Sequence, residues 1–300
     1  MILGYSALFK KRIIKVLLDK KIKFCIASKS QPNNEKKAYK WFRDYNNALK
    51  NSKADLVYIS LSNSLHYIWA KKALEKKYHV IVDKPITLNL KQTKILTLLA
   101  KKKKRLLAEA TFFNYHAQFK KALKVINFSK NIKFIITNFV IPMPKKKTFR
   151  MQKKLAGGCS MDMGPYAAAT ARLLGSGKLL NIQSNIYRNK QGLITSFNIS
   201  CKFKNNYYLG YFRFGGKYTN NMVLISDKKE IEINNVFSPP SNKDLKILIR
   251  GENTFKLAKI KKDNIFKNFL NEILKDLKKK SYKPYYNKIL IDAKFRSKIN

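Results

Sequence analysis

Acidic residues are scarce in this sequence. Its 300 residues include 17 Asp and Glu against 64 Lys and Arg, which gives a formal net charge of +47. The excess is almost entirely lysine, is spread along the whole chain and accompanies abundant Asn and Ile, whose codons are also AT-rich. Two interpretations stay open: a surface that binds nucleic acid, anionic lipid or phosphorylated substrates, or a genomic codon bias. Phosphate recognition favours the planar guanidinium of arginine. We therefore favour codon bias and expect no specific nucleic-acid partner.

Cysteine, histidine and long apolar runs are also scarce. The three cysteines, Cys25, Cys159 and Cys201, have no paired spacing, so we expect a reduced, cytoplasmic compartment and no disulfide framework. The three histidines form no cluster, and we expect no metal site. No apolar run approaches the ~18 residues of a membrane span. The apolar start has its charges after the apolar stretch instead of before it, so we expect neither a signal peptide nor membrane association.

The first third of the chain alternates short apolar runs with helical patterns. Helices are predicted over 8–19, 35–50, 64–76 and 90–103. The predicted strands are "MILGYSA", "IKFCIAS", "ADLVYIS", "YHVIVD" and "RLLAEAT". Continuous apolar strands that alternate with helices indicate an α/β Rossmann-type parallel sheet covered on both faces. Such sheets bind ligands at the carboxyl ends of their strands.

The pattern changes after about residue 125. The later strands alternate polar and apolar residues, which predicts an α+β domain with a large, mostly antiparallel, open sheet. These strands are predicted over 131–141, 178–189, 193–204, 206–216 and 222–235, with helices over 161–174, 264–279 and 285–297. We therefore expect two domains: residues 1–112 for dinucleotide binding, and residues 113–300 for substrate binding and oligomerisation.

The first strand leads into a turn that contains a single glycine. In "GYSALF" the first glycine of a dinucleotide-binding turn is present as Gly4, Ser6 replaces the second and Phe9 replaces the third. The backbone of such a turn approaches a pyrophosphate at a helix N-terminus. Candidate cofactor contacts are therefore Gly4, Ser6, Ala7 and Leu8.

The second strand ends without the acidic residue that would bind the ribose hydroxyls of NAD. Ser28 and Lys29 stand there instead, and they suit the 2′-phosphate of NADP. An ordinary polar loop is an equal alternative. We expect NADP or NAD, with NADP favoured.

Four further segments carry a resemblance to a known family. They are "SLSNSLH" (60–66), "HVIVDKP" (79–85), "AEATFFNYHAQF" (108–119) and "LAGGCSMDMGPYAAATARLLG" (155–175). In this order and spacing they resemble the Gfo/Idh/MocA oxidoreductases, the family of glucose–fructose oxidoreductase and inositol dehydrogenase. Ser62 stands where the family usually has proline, and Asp83 where it usually has glutamate.

The resemblance implies roles for individual residues. It adds Ser60, Asn63, His66, Asp83, Lys84 and Glu109 to the cofactor contacts. It implies that Lys84 reaches the reacting oxygen and that Tyr166 passes a proton, with Asp162 to orient the pair. Asp162 and Tyr166 are four residues apart and therefore share one face of a helix. Substrate contacts are expected from Lys84, Asn114, His116, Arg150, Asp162 and Tyr166.

The resemblance also implies a reaction. We expect reversible hydride transfer between a nicotinamide and a carbinol carbon of a sugar or sugar derivative. Phosphorylated and nucleotide-linked sugars are included in this class of substrates. The family's open sheet implies a homodimer or homotetramer. Three alternatives stay open. The altered glycine turn favours a regulatory dinucleotide-binding protein without turnover, the charge alone favours a nucleic-acid-binding protein, and Tyr166 could be an ordinary half-buried helix tyrosine.

Overall fold

The structure is a computed structural model, and it describes residues 1–29, 38–127, 132–174 and 180–299. The chain divides into two compact units. The first contains Met1–Ala110 and Leu270–Leu290, and the second contains Thr111–Phe269 and the residues from Ile291 onward. The first break lies two residues before the predicted boundary. Residues 270–290 belong to the first unit instead of the second, because Tyr286 and Ile289 are buried in its core. The division of roles between the two domains stays a prediction.

The first unit contains a six-stranded sheet in which every pairing is parallel, as predicted. Its strands are β1 (Ile2–Leu3), β2 (Cys25–Ala27), β3 (Lys40–Phe42), β4 (Leu56–Ile59), β5 (His79–Asp83) and β6 (Leu107–Ala110). Their order in the sheet is β3-β2-β1-β4-β5-β6. The order reverses at β1, between β2 and β4. Ligands of open parallel sheets bind at such a reversal, outside the carboxyl ends of the strands.

Helices connect these strands. A π-helical segment, Phe9–Ile13, continues into α1 (Ile14–Asp19), and α2 (Tyr45–Asn51), α3 (Asn63–Glu75) and α4 (Leu90–Lys103) follow. The helix predicted over 35–50 is wrong in part: residues 35–37 lie outside the described residues, and Lys40–Phe42 form β3. The aromatic pair Trp41 and Phe42 favours a strand. The helix α2 begins only after Asp44, whose carboxylate accepts the Asn47 N–H at 2.7 Å.

The second unit contains an eight-stranded sheet that is mostly antiparallel, as predicted. Its order is β14-β13-β12-β11-β7-β10-β9-β8, and only β7 and β10 pair in parallel. The strands are β7 (Phe134–Ile141), β8 (Leu180–Arg188), β9 (Ile194–Phe203), β10 (Asn206–Phe214), β11 (Thr219–Ile225), β12 (Lys229–Asn234), β13 (Leu245–Gly251) and β14 (Thr254–Ile260). Among the described residues, the α-helices that follow α4 are α5 (Ala117–Val125), α6 (Cys159–Ala171), α7 (Ile265–Lys278) and α8 (Lys283–Arg296).

Two parts of this unit differ from the prediction. The single strand predicted over 222–235 is a hairpin of β11 and β12, because the polar turn closes with a bond from the Ser226 N–H to the Lys229 carbonyl at 2.8 Å. The helix α5 and the hairpin of β13 and β14 were not predicted. Only the last residue of β14, Ile260, is buried, so that strand lacks the alternation by which a half-buried strand is recognised.

One face of the large sheet forms the core of the second unit. Tyr208, Phe212 and Phe214 point inward from β10, and Phe212 stacks on Phe197 of β9 with ring centroids 4.8 Å apart. Each fully buried side chain of this size contributes about 1.5–3 kcal/mol. The helix α6 covers this face with buried small residues, which allow close packing. Among the described residues, no helix is both long enough and apolar enough to cross a membrane.

Candidate active site

Lys84 lies in a turn at the carboxyl end of β5, and the residue before it is held by two hydroxyl groups. The Tyr58 hydroxyl donates to Asp83 Oδ1, and the Ser60 hydroxyl donates to Asp83 Oδ2 at 2.7 Å. Burial raises the pKa of Asp83, while the Tyr58 and Ser60 hydrogen bonds oppose that rise. Burial, together with the Asp83 carboxylate, raises the pKa of Tyr58 well above its ordinary value. Asp83 is therefore a fixed anchor for the backbone of Lys84.

The residue after Lys84 is held by His66. The His66 ring is fully buried, with Nδ1 2.7 Å from the Pro85 carbonyl and Nε2 3.1 Å from the Leu61 carbonyl. Burial lowers the pKa of His66, although both carbonyls favour the charged ring. We predicted that His66 contacts the cofactor. A side chain with no exposed surface is not available to a ligand, and His66 instead connects the lysine turn to the end of β4.

Glu109, at the end of β6, holds the next residue of the turn. Its Oε2 accepts the Ile86 N–H at 2.7 Å. Residues 83, 85 and 86 therefore each have a partner on a different side chain, and the backbone on both sides of Lys84 is fixed. The Lys84 side chain itself is partly exposed. This arrangement presents an ammonium group from a rigid support, which catalysis by hydrogen bonding to a reacting oxygen requires.

The glycine turn lies beside the end of β4. Gly4 has φ +95°, and a Cβ there would lie 2.2 Å from the Ser60 carbonyl oxygen, so only glycine fits. The Ser6 hydroxyl accepts the Phe9 N–H at 3.2 Å and lies 2.7 Å from Ser60 Oγ. Ala7 and Leu8 are exposed at the start of the helical segment. The first turn of a helix leaves its backbone N–H groups without intrahelical acceptors, so these residues can bind an anion.

Phe9 replaces the third glycine without opening the core. Its ring is fully buried and contacts Phe24 at 6.3 Å between centroids. The segment from Phe9 to Ile13 is wound as a π-helix, which is wider than an α-helix. Asn63, the first residue of α3, is also buried, and its contact with a cofactor stays a prediction.

Three candidate phosphate contacts lie after the ends of β2 and β3, and the one after β3 was not predicted. Ser28 is buried and its N–H donates to the Phe42 carbonyl at 2.9 Å, whereas Lys29 is exposed. The β2–β3 register pairs Ala27 with Phe42, so Arg43 follows beside Ser28 and is exposed. Sequence analysis missed Arg43 because residues 35–50 had the pattern of a helix. Its signal is a basic residue directly after a short aromatic strand.

In the second unit, the paired glycines hold Arg150 against the start of α6. The Gly158 N–H donates to the Arg150 carbonyl at 2.7 Å, and a Cβ on Gly157 would lie 2.5 Å from that oxygen. Arg150 Nε donates to Asp162 Oδ2 at 2.8 Å, and Asp162 is buried. Asp162, more than Tyr166, raises the pKa of Arg150. Arg150 therefore interacts electrostatically with both Asp162 and Tyr166, the two residues whose spacing predicts a shared helix face.

Tyr166 is half-buried among aromatic rings. Its ring lies 5.0 Å from Phe237, 5.5 Å from Phe139 and 6.3 Å from Phe113, measured between centroids. These contacts fix the ring while part of the side chain stays exposed. The ring therefore packs as it would in an ordinary half-buried helix tyrosine, which is the alternative stated above. The proton-transfer role of the hydroxyl stays a prediction.

Asn114 and His116 occupy different environments. Asn114 Oδ1 is a buried acceptor with no hydrogen-bond partner among the described residues. His116 is buried, and its Nδ1 accepts the Gln118 N–H at 3.1 Å, which caps α5. Burial lowers the pKa of His116. His116 Nε2, like Asn114 Oδ1, is buried and has no hydrogen-bond partner among the described residues. The substrate contacts of both residues stay predictions.

A strongly basic loop precedes α6. Residues 142–157 contain six basic residues and no acidic residue: Lys145, Lys146, Lys147, Arg150, Lys153 and Lys154. All five lysines are exposed. In the described parts of the chain, no group of three or more His, Cys, Asp or Glu side chains could hold a metal ion.

Comparison with known proteins gives a family match for part of the chain. Residues 3–111 match the oxidoreductase family with an NAD-binding Rossmann fold, Gfo/Idh/MocA. In this matched segment, Asp83 is one methylene shorter than the glutamate that is usual in that family, and the hydroxyls of Tyr58 and Ser60 donate to its carboxylate.

Curated relatives include sugar-modifying enzymes. A dTDP-3,4-didehydro-2,6-dideoxy-alpha-D-glucose 3-reductase from Saccharopolyspora spinosa is 28% identical over 203 residues, which cover 66% of this chain and 60% of the relative. D-xylose 1-dehydrogenase (NADP(+)) 2 from Haloferax volcanii is 30% identical over 134 residues, 44% of this chain and 41% of the relative. The matched regions therefore span less than two thirds of either relative.

A solved structure has the same fold over nearly the whole chain. The 3-ketoreductase KijD10 from Actinomadura kijaniata, in complex with NADP and TDP-benzene, superimposes with a TM-score of 0.92. The match covers 99% of this chain and 95% of that chain at 20% identity. The likeness establishes the six-stranded parallel sheet and the eight-stranded sheet as the architecture of this protein.

Proposed function

We propose that this protein is an NADP-dependent oxidoreductase that transfers a hydride between the nicotinamide and a carbinol or carbonyl carbon of a nucleotide-linked sugar. The observation that carries the proposal is the lysine turn. Lys84 lies at the ligand-binding edge of a dinucleotide-type sheet, and residues 83, 85 and 86 are each fixed by a separate side chain. A solvated loop lysine would not need such a support.

The residues present fit a dinucleotide with a 2′-phosphate. Gly4 permits the close turn. Ala7 and Leu8 are exposed at the start of the helical segment, so their backbone N–H groups can donate to a pyrophosphate. Lys29 and Arg43 are exposed cations at the ends of adjacent strands, where a 2′-phosphate would lie. Arginine suits this role because its guanidinium binds phosphate in a bidentate manner.

The protein's own groups would orient the substrate and move its proton. When bound, the nicotinamide supplies or accepts the hydride. The Lys84 ammonium would donate a hydrogen bond to the reacting oxygen and stabilise its developing negative charge. By the family resemblance, the Tyr166 hydroxyl of the second unit would exchange a proton with the substrate. Asp162 would keep the Arg150 guanidinium in position beside Tyr166.

The second unit supports a nucleotide-linked substrate. The basic loop 142–157 provides five exposed lysines that would attract a diphosphate. Asn114 Oδ1 provides a buried acceptor that a sugar hydroxyl could satisfy. The reductases among the relatives act on dTDP-linked sugars, which agrees with this chemistry. A free aldose is the competing class, because the D-xylose dehydrogenase is also a relative.

The outward face of the large sheet supports self-association. Tyr207, Leu209 and Tyr211 of β10 and Phe134 of β7 are each at least 37% exposed on this face. Phe134 stacks on Tyr207 with centroids 5.0 Å apart. In so lysine-rich a protein, the outward positions of β7, β10 and β11 carry only one basic residue, Arg213. Depletion of charge around exposed aromatic residues is typical of an interface, and we propose that this face pairs with a second copy.

Cofactor titration tests the first part of the proposal. Fluorescence titrations with NADPH and NADH, both at the same ionic strength, should show tighter binding of NADPH. The salt must be constant because a protein of net charge +47 attracts polyanions non-specifically. A duplex DNA of random sequence is the control for this attraction. Equal affinity for all three ligands would contradict a dinucleotide site.

A substrate screen tests the second part. Nucleotide-linked keto-sugars and free aldoses are offered with NADPH or NADP, and the change in nicotinamide absorbance is recorded. Turnover of a nucleotide-linked sugar is the expected result, and Lys84→Met should reduce it about 10²–10⁴-fold. Turnover of free aldoses alone would contradict the substrate class. Tight NADPH binding without turnover of any compound would favour the regulatory alternative.

A further inference from the structure

Two serines and one aspartate form a continuous hydrogen-bonded chain between the glycine turn and the lysine turn. The Phe9 N–H donates to Ser6 Oγ at 3.2 Å, Ser6 Oγ lies 2.7 Å from Ser60 Oγ, and Ser60 Oγ donates to Asp83 Oδ2 at 2.7 Å. Ser60 is buried, whereas Ser6 and Asp83 are partly exposed. The hydrogen-bonded chain is therefore partly shielded from solvent, with its most buried member in the middle.

Counting protons fixes the direction of every bond in this chain. An ionised Asp83 has no proton, so it only accepts. Ser60 donates its single proton to Asp83 and must accept from Ser6. Ser6 donates its single proton to Ser60 and accepts from the Phe9 N–H. Ser6 therefore has no proton left for a phosphate, contrary to the role that its place in the glycine turn predicts.

We propose that Asp83 is a positioning residue that acts through Ser60 and Ser6 on the pyrophosphate-binding turn, so that the dinucleotide and the lysine turn are energetically coupled. The pyrophosphate is then recognised by backbone N–H groups, and Ser6 holds the helix start in place. This inference rests on the proposed function for its ligand. The chain itself can be tested without the ligand.

Replacing Asp83 by asparagine should reverse the chain. The new amide group can donate to Ser60, which frees the Ser60 proton to turn towards Ser6. The Ser6 proton then turns outward and can donate to a phosphate. The Tyr58 hydroxyl still donates, now to the amide oxygen. The value of the Ser6 hydroxyl for cofactor binding should therefore depend on the identity of residue 83.

A double-mutant cycle on NADPH affinity measures this dependence. Ser6→Ala, Asp83→Asn and the double variant are titrated by fluorescence at pH 8 and constant salt. Ser6→Ala should weaken NADPH binding about 3–10-fold more in the Asp83→Asn background than in the wild-type background, the value of one hydrogen bond. The loss of the helix cap and the loss of the charge each appear in two variants and cancel in the cycle.

The same cycle in a Ser60→Ala background isolates the connecting residue. The coupling should fall to a factor of about one, because Ser60 is the only link in the chain. Ser62→Ala is the matched control, since its hydroxyl lies 3.4 Å from Ser64 and outside the chain. That control should leave the coupling unchanged. The proposal is overturned if the coupling between Ser6 and Asp83 survives Ser60→Ala. It is also overturned if that coupling is absent while Ser60 is present.

A second arm needs no cofactor. The cycle is repeated on urea unfolding of the ligand-free protein, monitored by the fluorescence of Trp41 and Trp69. These are the only two tryptophans in the sequence, and both lie in the first unit. Ser6 and Asp83 should be coupled here also, and Ser60→Ala should remove the coupling. If NADPH fails to bind the wild type while this coupling is present, the proposed function is wrong and the chain is right. If both couplings are absent, the chain is wrong.

Discussion

The fully buried His66 ring should be the most costly polar side chain to remove from the first unit. The neutral His66 ring has a single N–H, so it donates to either the Pro85 or the Leu61 carbonyl, which lie 2.7 and 3.1 Å from its two nitrogens. His66→Ala leaves that carbonyl without its partner. Each buried polar group that loses its partner costs about 1–3 kcal/mol. Truncation of a large buried side chain adds a cavity, so we expect a total loss of about 3–5 kcal/mol.

Urea unfolding with tryptophan fluorescence measures this loss, because both tryptophans report on the first unit. His79→Ala is the matched control. His79 lies in β5 of the same unit, is only partly buried, and its Nδ1 accepts the Leu106 N–H at 3.0 Å. We expect the control to lose about 1–2 kcal/mol.

His66→Gln distinguishes the hydrogen bond from the packing. The amide of glutamine can donate to one of the two carbonyls and fills part of the space, so it should recover about 1 kcal/mol relative to alanine. If His66→Ala lost less than about 1 kcal/mol, the bonds would not support the lysine turn, and our account of that turn would be refuted.

Four further outcomes follow from the structure. Lys84→Met and Tyr166→Phe should each reduce turnover about 10²–10⁴-fold and change the unfolding free energy by only about 0–1 kcal/mol; unfolding of Tyr166→Phe would show that its hydroxyl is structural. Arg43→Ala should lower the affinity for NADPH about tenfold or more and leave the affinity for NADH unchanged in parallel titrations, since it removes only a contact with the 2′-phosphate. An equal loss of affinity for both cofactors would show that Arg43 does not contact the 2′-phosphate. Burial lowers the pKa of His66, so its contribution to stability is complete above about pH 6.5 and declines as the pH falls, by at most about 1.4 kcal/mol per pH unit. Urea unfolding at pH 7.5 and 5.5 should show this decline, and His66→Gln should make it smaller. An unfolding free energy that is the same at both pH values would contradict the prediction. Tyr211→Lys should shift the protein to monomer in analytical ultracentrifugation, and a wild-type monomer at micromolar concentration would exclude the proposed pairing.

The parallel sheet and the position of Lys84 at its carboxyl edge were predictable because both depend on local patterns. The strand β5 is a run of buried apolar residues that ends in a polar turn, and no neighbour is needed to recognise it. Lys84 and Tyr166 could be named because their motifs are contiguous in the sequence. Most of the α6 segment was predictable for the same reason.

The features that could not be predicted from the sequence depend on contacts between distant segments. Arg43 acquires its place only through the β2–β3 register, and β3 has three residues and no periodicity. His66 matched a motif, but its burial depends on the Pro85 carbonyl 19 residues later. The chain from Ser6 to Asp83 joins three strand ends whose adjacency follows from the sheet order alone. Spacing along the sequence contains none of this information.

The basic loop 142–157 has a consequence for the speed of substrate encounter. Its lysines are exposed, so their interaction with a diphosphate is screened over about 10 Å at 0.1 M salt and contributes little to a bound complex. Before contact, however, a local excess of positive charge raises the rate at which an anionic ligand arrives. The association rate constant for a nucleotide-linked sugar should therefore fall steeply with ionic strength, while its dissociation rate constant changes little. A loop of this kind accelerates capture of a scarce anionic substrate without slowing the release of the product.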